Sequence, residues 1–553
     1  MKSCFRNILI LTFLLIVLPP GMVSAQLNQG GIPLSFTLSI PPDEGRQVTV
    51  TPPSLDGLQR EDEQKPLPYR FAVNIPVDLD INSAGSWVRS PDGTNIWRLT
   101  ITSPGAMALT LYFDQFQIPA GGKIFVYNPS RTQWLGAFTS LNNNELLTFA
   151  TSLIYGDQLT LEYNAPDGIQ LPLLHIFEVA YAYRGVSTYS SLKTGFGSAG
   201  KCMVNVNCSE GDHWSRQKRS VARIEVKRGS STSWCSGSLV NNTKNDGTPY
   251  ILTADHCGYS ATEVDLSMWQ FYFEYESSGC PNPSQEPPLK SITGATLVAR
   301  SGGSAWTGSD FFMVLLNEDI PESFNAYYNG WSRAETSSPS GTGIHHPQGD
   351  IKKISTYTAP LLPTSYPGNP NQAHWQVTWS ATAHGYSVTE GGSSGSPIYD
   401  PFGRIVGTLT GGDSKCDSNT LGLPDYYGMF SYHWDQNGTE PGRRLQPWLD
   451  PIDAGVMELN GWAVSVDETT QEEWIRLFPN PVIDQLNVTA TRPDGNKTEL
   501  VICDLVGNQL YRRMFESQQS LNEQIDMTGM GSGMYMVIIQ NGDRKVVKKI
   551  IKE

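Results

Sequence analysis

Apolar and polar residues alternate in short runs along most of the chain, and Gly, Pro or Asn breaks each run. Between about residues 70 and 185 the runs include NIWRLTITS, ALTLYFDQF, GKIFVYN and DQLTLEYN. A period of two bounded by turn residues predicts antiparallel strands, here in a sandwich-like block. A second set spans about 194 to 462, with SVARIEVKR, CSGSLVNN, PYILTADHC, DFFMVLLNE and RIVGTLTGG among its members. A third, from about 475 to 553, includes IRLFPNPVIDQLNVTA and GSGMYMVIIQNGDRKVVKKIIKE. Helical periodicity is scarce, so the pattern predicts an all-β protein. Residues 26 to about 65 are Pro-rich and polar and read as an irregular lead-in, and VDETTQEEW reads as a charged linker.

At 553 residues the chain has room for three or four domains of ordinary size. Its first 25 residues carry Lys2 and Arg6, an apolar run from Ile8 to Leu18, and Val23-Ser24-Ala25. That is the layout of a secretory signal peptide cleaved after Ala25, with an apolar run too short to span a membrane. No transmembrane segment is expected in the rest. Export changes the meaning of the cysteines. Cys202, Cys208, Cys235, Cys257, Cys280 and Cys416 fall in the second region and imply a disulfide framework whose connectivity the spacing leaves open. Cys503 stands apart. No C-x-x-C pair or H-E-x-x-H occurs, so no metal site is expected. The net charge of −15 argues against nucleic acid as a partner.

The chemistry centres on EGGSSGSPIYD, residues 390–400. It can be read as a linker, as the G-x-S-x-G elbow of α/β-hydrolases with Ser393 attacking, or as a G-x-S-G-[GS]-P element with Ser394 attacking. The elbow needs a helix directly after the serine and a histidine downstream. Pro397 and Gly403 oppose that helix, and His433 is the one histidine that follows. Upstream, YILTADHCG places His256 at the end of an apolar run, and GSDFFMVLLNE places Asp310 just ahead of another. Asp255, next to His256, points the other way along an extended chain and is a poor orienting acid. Adjacent His345 and His346 likewise point apart, which favours a structural role over metal binding.

His256, Asp310 and Ser394 in that order resemble the T-A-A-H-C, S-D-[IF]-x-L-L and G-x-S-G-[GS]-P elements of chymotrypsin-like peptidases. Residues 197–460 more narrowly resemble the bacterial lysyl endopeptidases, through GKCMVNVNCSEGDHW, SWCSGSLVNN, GIHHPQGDIKKIS and LPDYYGMFSYHW as well. The resemblance implies a chymotrypsin-like double β-barrel with Ser394 as nucleophile, His256 as general base and Asp310 fixing its tautomer. The N–H groups of Gly392 and Ser394 would form the oxyanion hole, and no cofactor is required. Ser393 replaces the aspartate that pairs with a new amino terminus in trypsin-like enzymes, and Val388 replaces their specificity aspartate. The lysyl endopeptidases bind the substrate's lysine through a later aspartate, which matches Asp425. Thr410 stands where they carry a histidine stacked on a tryptophan; Trp375 and Trp379 are both candidates for that partner. Lys is therefore the expected substrate side chain, with Arg also accepted. The resemblance further implies the disulfides Cys202–Cys416, Cys208–Cys280 and Cys235–Cys257.

The expected organisation is a signal peptide (1–25), a β-rich pro-region (26–196), the peptidase (197–462), a linker (463–474) and a C-terminal domain (475–553). Lys193 and Lys201 are candidate sites of self-cleavage. The last block, with LFPNPVIDQLNV, DLVGNQL and a Lys-rich end, resembles the C-terminal sorting domain of the type IX secretion system. That implies export through the periplasm and the outer membrane, a secreted or cell-surface location, and the type IX machinery as a partner besides protein substrates. The strand pattern alone also allows a small Ig-like adhesion module. Two other functions stay open: a surface binding or adhesion protein with an inert peptidase domain, and a serine peptidase of non-basic specificity.

Overall fold

The computed structural model describes residues 29–38, 47–64, 68–184, 196–302, 307–463, 475–491, 497–504, 508–516, 520–541 and 544–552. The expected signal peptide, the linker and Lys193 lie outside them. The chain forms two compact units, residues 1–464 and 465–553. Both are built almost wholly of strands.

The first unit opens with two layers. One sheet has the order Gln47–Thr49, Asn95–Thr102, Gln158–Ala165, Lys123–Tyr127, Trp134–Phe138. It faces the strands Ala108–Gln117, Leu173–Ala182 and Tyr69–Asp80 across a core that includes Trp97, Leu161, Phe113 and Val179. The alternation read from the sequence is this inward-facing set. The lead-in is less irregular than expected, because Leu55–Gln64 is an α-helix. Its period is masked by charge. Asp62 is buried on that helix and accepts hydrogen bonds from Arg70 Nε (2.9 Å) and Tyr183 Oη (2.6 Å).

Two barrels follow, each curled around its own core. The strands Val221–Arg228, Ser231–Leu239, Tyr250–Ala254, Gln270–Phe273, Ala295–Arg300 and Phe311–Leu316 enclose Ile224, Ile251, Phe271, Ala295 and Val314. The second barrel runs through Gly341–His345, Lys353–Tyr357, His374–Val377, Pro397–Tyr399, Ile405–Gly412 and Asp425–Met429. This is the all-β, double-barrel arrangement of a chymotrypsin-like peptidase. Cys202–Cys416, Cys208–Cys280 and Cys235–Cys257 are joined as disulfides.

The opening block is not a separate layer. Tyr69–Asp80 pairs antiparallel with Ser231–Leu239, aligning Tyr69 with Trp234 and Val73 with Ser231, so one sheet runs through both blocks. Phe71 stacks on Trp234 at 4.2 Å between ring centroids. Around this junction Thr232 Oγ1 donates to Asn74 (2.8 Å), Ser152 Oγ to Gln270 (2.7 Å), and Lys227 Nζ sits between Glu178 (3.0 Å) and Asp265 (2.8 Å).

Glu225 is buried in the same junction, hydrogen-bonded by Tyr272 Oη (2.9 Å). Burial pushes its pKa up to about 7, against the smaller opposing effects of Tyr272, Arg223 and Thr110. A raised carboxyl pKa means the folded state holds a proton that the unfolded chain releases. The associated stability is complete below the unfolded pKa and falls as pH rises towards 7. Glu225→Gln is expected to flatten the slope of thermal midpoint against pH between 5 and 8. It should stabilise the protein at pH 8 by about 3 kcal/mol, as the shift implies. An unchanged slope in a calorimetric pH series would contradict this.

The second unit is a small two-layer β-structure. Ile475–Phe478, Gln485–Thr491 and Ser520–Asp526 form one sheet, and Gln509–Phe515, Thr498–Cys503, Gly533–Asn541 and Arg544–Lys552 the other. Leu486, Val488, Leu500, Ile502 and Val537 fill the space between them, and Cys503 is a buried free thiol.

Candidate active site

Register brings two of the expected residues together. Tyr250–Ala254 and Phe311–Leu316 pair so that Ala254 lies opposite Phe311, which sets the residues just beyond, His256 and Asp310, side by side. The apolar run ends at Ala254, and Asp255–Gly258 forms a single helical turn, so His256 lies in the first part of that turn and does not end a strand. Asp310 Oδ1 accepts the backbone N–H of His256 (2.9 Å), and Oδ2 lies 2.7 Å from His256 Nδ1. Asp310 is fully buried and takes φ +60°, a left-handed conformation costly for a non-glycine residue. A carboxylate accepts from Nδ1–H, and in the neutral ring that tautomer leaves Nε2 with a lone pair. Nε2 is buried and has no hydrogen-bond partner among the described residues. Asp255 faces elsewhere, in a fork with Arg300 (2.7 and 3.1 Å). Burial nevertheless pushes its pKa up to about 6.

Ser394 belongs to the turn ahead of Pro397–Tyr399 and is almost fully buried. Its carbonyl accepts from Ser236 N (2.8 Å) and touches Cys257 Sγ at 4.0 Å. That sulfur has no hydrogen to give, so the approach is a packing contact. The Cys235–Cys257 bridge thus lies between the turn of His256 and the loop of Ser394. Within the loop most N–H groups are committed: Ser393 N to Glu390 O, Gly395 N to Leu409 O, and Ser396 N to Ser393 O. The N–H groups of Gly392 and Ser394 have no acceptor among the described residues. Gly392 holds φ +93°, and a Cβ there would stand 2.9 Å from Gln348 N, so only glycine fits.

A cleft opens beside Ser394, walled by Thr389, Gly391, Leu409, Gly411 and Ser414. Asp425 lies behind that wall, fully buried. Its Oδ2 accepts from Trp379 Nε1 (2.6 Å), Thr389 Oγ1 (2.7 Å) and Ser414 Oγ (2.6 Å). Burial raises its pKa, and these donors oppose the rise. Gly412 leaves the approach to the carboxylate open, since a Cβ there would meet Oδ1 at 2.1 Å. Thr410 is buried and its Oγ1 lies 3.0 Å from His374 Nε2. Trp375 Nε1 donates to Val406 O, Trp379 serves Asp425, and Tyr366 lies against His374 at 5.6 Å between rings. The sequence reading missed His374 and Tyr366, because a histidine on a neighbouring strand leaves no local motif.

The opening block reaches the cleft too. Tyr69 packs on Gly391, where a Cβ would come within 2.5 Å of the ring, and its hydroxyl donates to Gln348 Oε1 (3.3 Å). Arg184 lies over the Tyr69 ring at 4.3 Å and lines the same cleft. The one trio of candidate metal-ligand atoms among the described residues is Cys208, Cys280 and His384. The first two are joined in a disulfide, so no thiolate is present to bind an ion.

Residues 196–428 match the family of the lysyl endopeptidase C-terminal domain, and residues 476–553 match that of the secretion system C-terminal sorting domain. A lysyl endopeptidase of Pseudomonas aeruginosa is 26% identical over 388 residues, covering 67% of this chain and 80% of its own. Among solved structures, the protease Anisep from Arthrobacter nicotinovorans is 17% identical. It aligns over 39% of this chain and 91% of its own with a TM-score of 0.28. A Glu endopeptidase is 18% identical over 43% and 95%, with a TM-score of 0.26. The chain thus joins a domain of the lysyl endopeptidase family to a type IX sorting domain, and it is a secreted serine endopeptidase.

Proposed function

We propose that the enzyme cleaves peptide bonds after Lys, and after Arg, by an acyl-enzyme route. His256 Nε2 takes the proton of Ser394 Oγ as that oxygen attacks the substrate carbonyl. The tetrahedral oxyanion is met by the N–H groups of Gly392 and Ser394. His256 then returns the proton to the leaving amine, and water hydrolyses the acyl-enzyme by the same steps. Asp310 holds the imidazole in the required tautomer. The two N–H groups without acceptors, next to a histidine whose Nε2 is also free, support this assignment.

Specificity rests on Asp425. A carboxylate buried behind the cleft wall is costly alone, and a cationic side chain reaching it offsets that cost. Thr410 shapes the neighbouring wall through His374. Residues up to 196 are the pro-region, with Tyr69 and Arg184 covering the cleft. The carrying observation is the cluster of three donors on Asp425 beside the Ser394 cleft.

The test is a cleavage profile on a mixture of denatured proteins. New carboxyl termini should be Lys and Arg almost throughout. A profile led by any other residue would remove Asp425 from the recognition of substrate.

A further inference from the structure

Ser393 raises a question that the proposed reaction leaves open: what holds the loop of Ser394 in shape, if no aspartate at 393 can pair with a chain terminus? Its hydroxyl is fully buried, 2.8 Å from His345 Nδ1, and it accepts the N–H of Glu390 (3.2 Å). On the other side of the ring, His345 Nε2 lies 2.9 Å from Ser355 Oγ. Ser355 in turn lies 3.0 Å from both Val388 O and Ser387 Oγ.

The hydrogens along this chain can be assigned by counting. Ser355 has one hydrogen, and Val388 O can only accept, so Ser355 donates that hydrogen onward and accepts from His345 Nε2–H. A neutral His345 then has a bare Nδ1, which accepts the Ser393 hydroxyl hydrogen. Glu390 N–H fills the remaining side of Ser393 Oγ. Every buried donor and acceptor is satisfied without a charge. Burial, helped by Lys353, pushes the His345 pKa down to about 3, which keeps the ring neutral at any working pH.

We propose that His345 is a positioning residue, and that with Ser393 it forms an uncharged latch fixing the Ser394 N–H at the oxyanion site. The peptide plane carrying that N–H begins at Ser393, so anchoring the Ser393 side chain limits how the plane can turn. The anchor is the second barrel itself. His345 ends Gly341–His345, Ser355 lies on the paired strand Lys353–Tyr357, and Gly343 stands opposite Ser355. A second observation agrees: in the uncut chain the Gly392 and Ser394 N–H groups are already without acceptors among the described residues. The hole therefore exists before any processing, and latency comes from cover over the cleft. This inference rests on Ser394 being the nucleophile.

The test uses the secreted enzyme and its Ser393→Ala, His345→Leu and doubly substituted forms. The acylation burst with a basic nitrophenyl ester counts competent sites, so poor folding does not enter kcat. Each single variant should lose about 10- to 100-fold in kcat with KM nearly unchanged, the signature of an interaction made in the transition state. The double variant should be no worse than the weaker single, because one latch is being broken. Ser393→Ala removes a single oxygen and keeps the test decisive should His345→Leu fail to fold. Full kcat in Ser393→Ala, or losses that multiply in the double variant, would overturn the latch alone. A wild-type enzyme without any burst would overturn the nucleophile assignment and the latch together.

Discussion

Replacing Ser394 by alanine is expected to lower kcat on basic ester substrates by about 10⁶-fold while KM changes little. The size follows from the geometry. Without Oγ there is no covalent step to split the barrier, and the Gly392 and Ser394 N–H groups can stabilise only the oxyanion of direct water attack. The backbone hydrogen bonds of the loop, from Ser393 N, Gly395 N and Ser396 N, do not use the Ser394 hydroxyl and should survive. The variant should therefore keep its thermal midpoint and still bind substrate. Steady-state kinetics and calorimetry on the same preparation check both halves. Residual activity within about a hundredfold of wild type would assign the nucleophile elsewhere.

Asp425→Asn should separate recognition from chemistry. The asparagine oxygen can keep the donors Trp379, Thr389 and Ser414 Oγ, but its amide nitrogen then replaces Oδ1, which faces the N–H of Ser414 at 3.3 Å. Charge is lost, and a donor is set against a donor. For Lys and Arg substrates kcat/KM should fall on the order of 10³- to 10⁴-fold, as for sites built around one polar group of the substrate. Small uncharged esters should react at close to the original rate, because the His256–Asp310 pair is untouched. Parallel losses on charged and neutral substrates would show that Asp425 supports the fold of the cleft and does not select the side chain.

The proposed catalytic residues His256, Asp310 and Ser394 were legible because each sits in a short motif whose order along the chain distinguishes one fold from another. Ser394 was separated from Ser393 by Pro397 and Gly403, which rule out the helix the alternative needs. Asp425 and Thr410 were reachable through resemblance alone, since a turn aspartate and a strand threonine have no chemistry of their own in sequence. The partners of Thr410 were not legible. His374 lies on a neighbouring strand, and Tyr366 meets it only after the second barrel closes. The helix Leu55–Gln64 was hidden by its charge: apolar spacing is faint there, and it is held through buried Asp62, Arg70 and Tyr183. The continuous sheet through Tyr69–Asp80 and Ser231–Leu239 was invisible for a different reason. Local periodicity reports which face of a strand is buried, and carries nothing about a partner far away in the chain.

That shared sheet also bears on what happens after a cut. Severing the chain between Arg184 and Phe196 changes connectivity, yet it breaks none of the ladder between Tyr69–Asp80 and Ser231–Leu239. A severed block would still be held by that ladder. Without that block, Ser231 to Trp234 would be a bare strand edge, the kind of edge that pairs with other chains. The opening block thus also covers an edge through which copies of this peptidase would otherwise be able to pair.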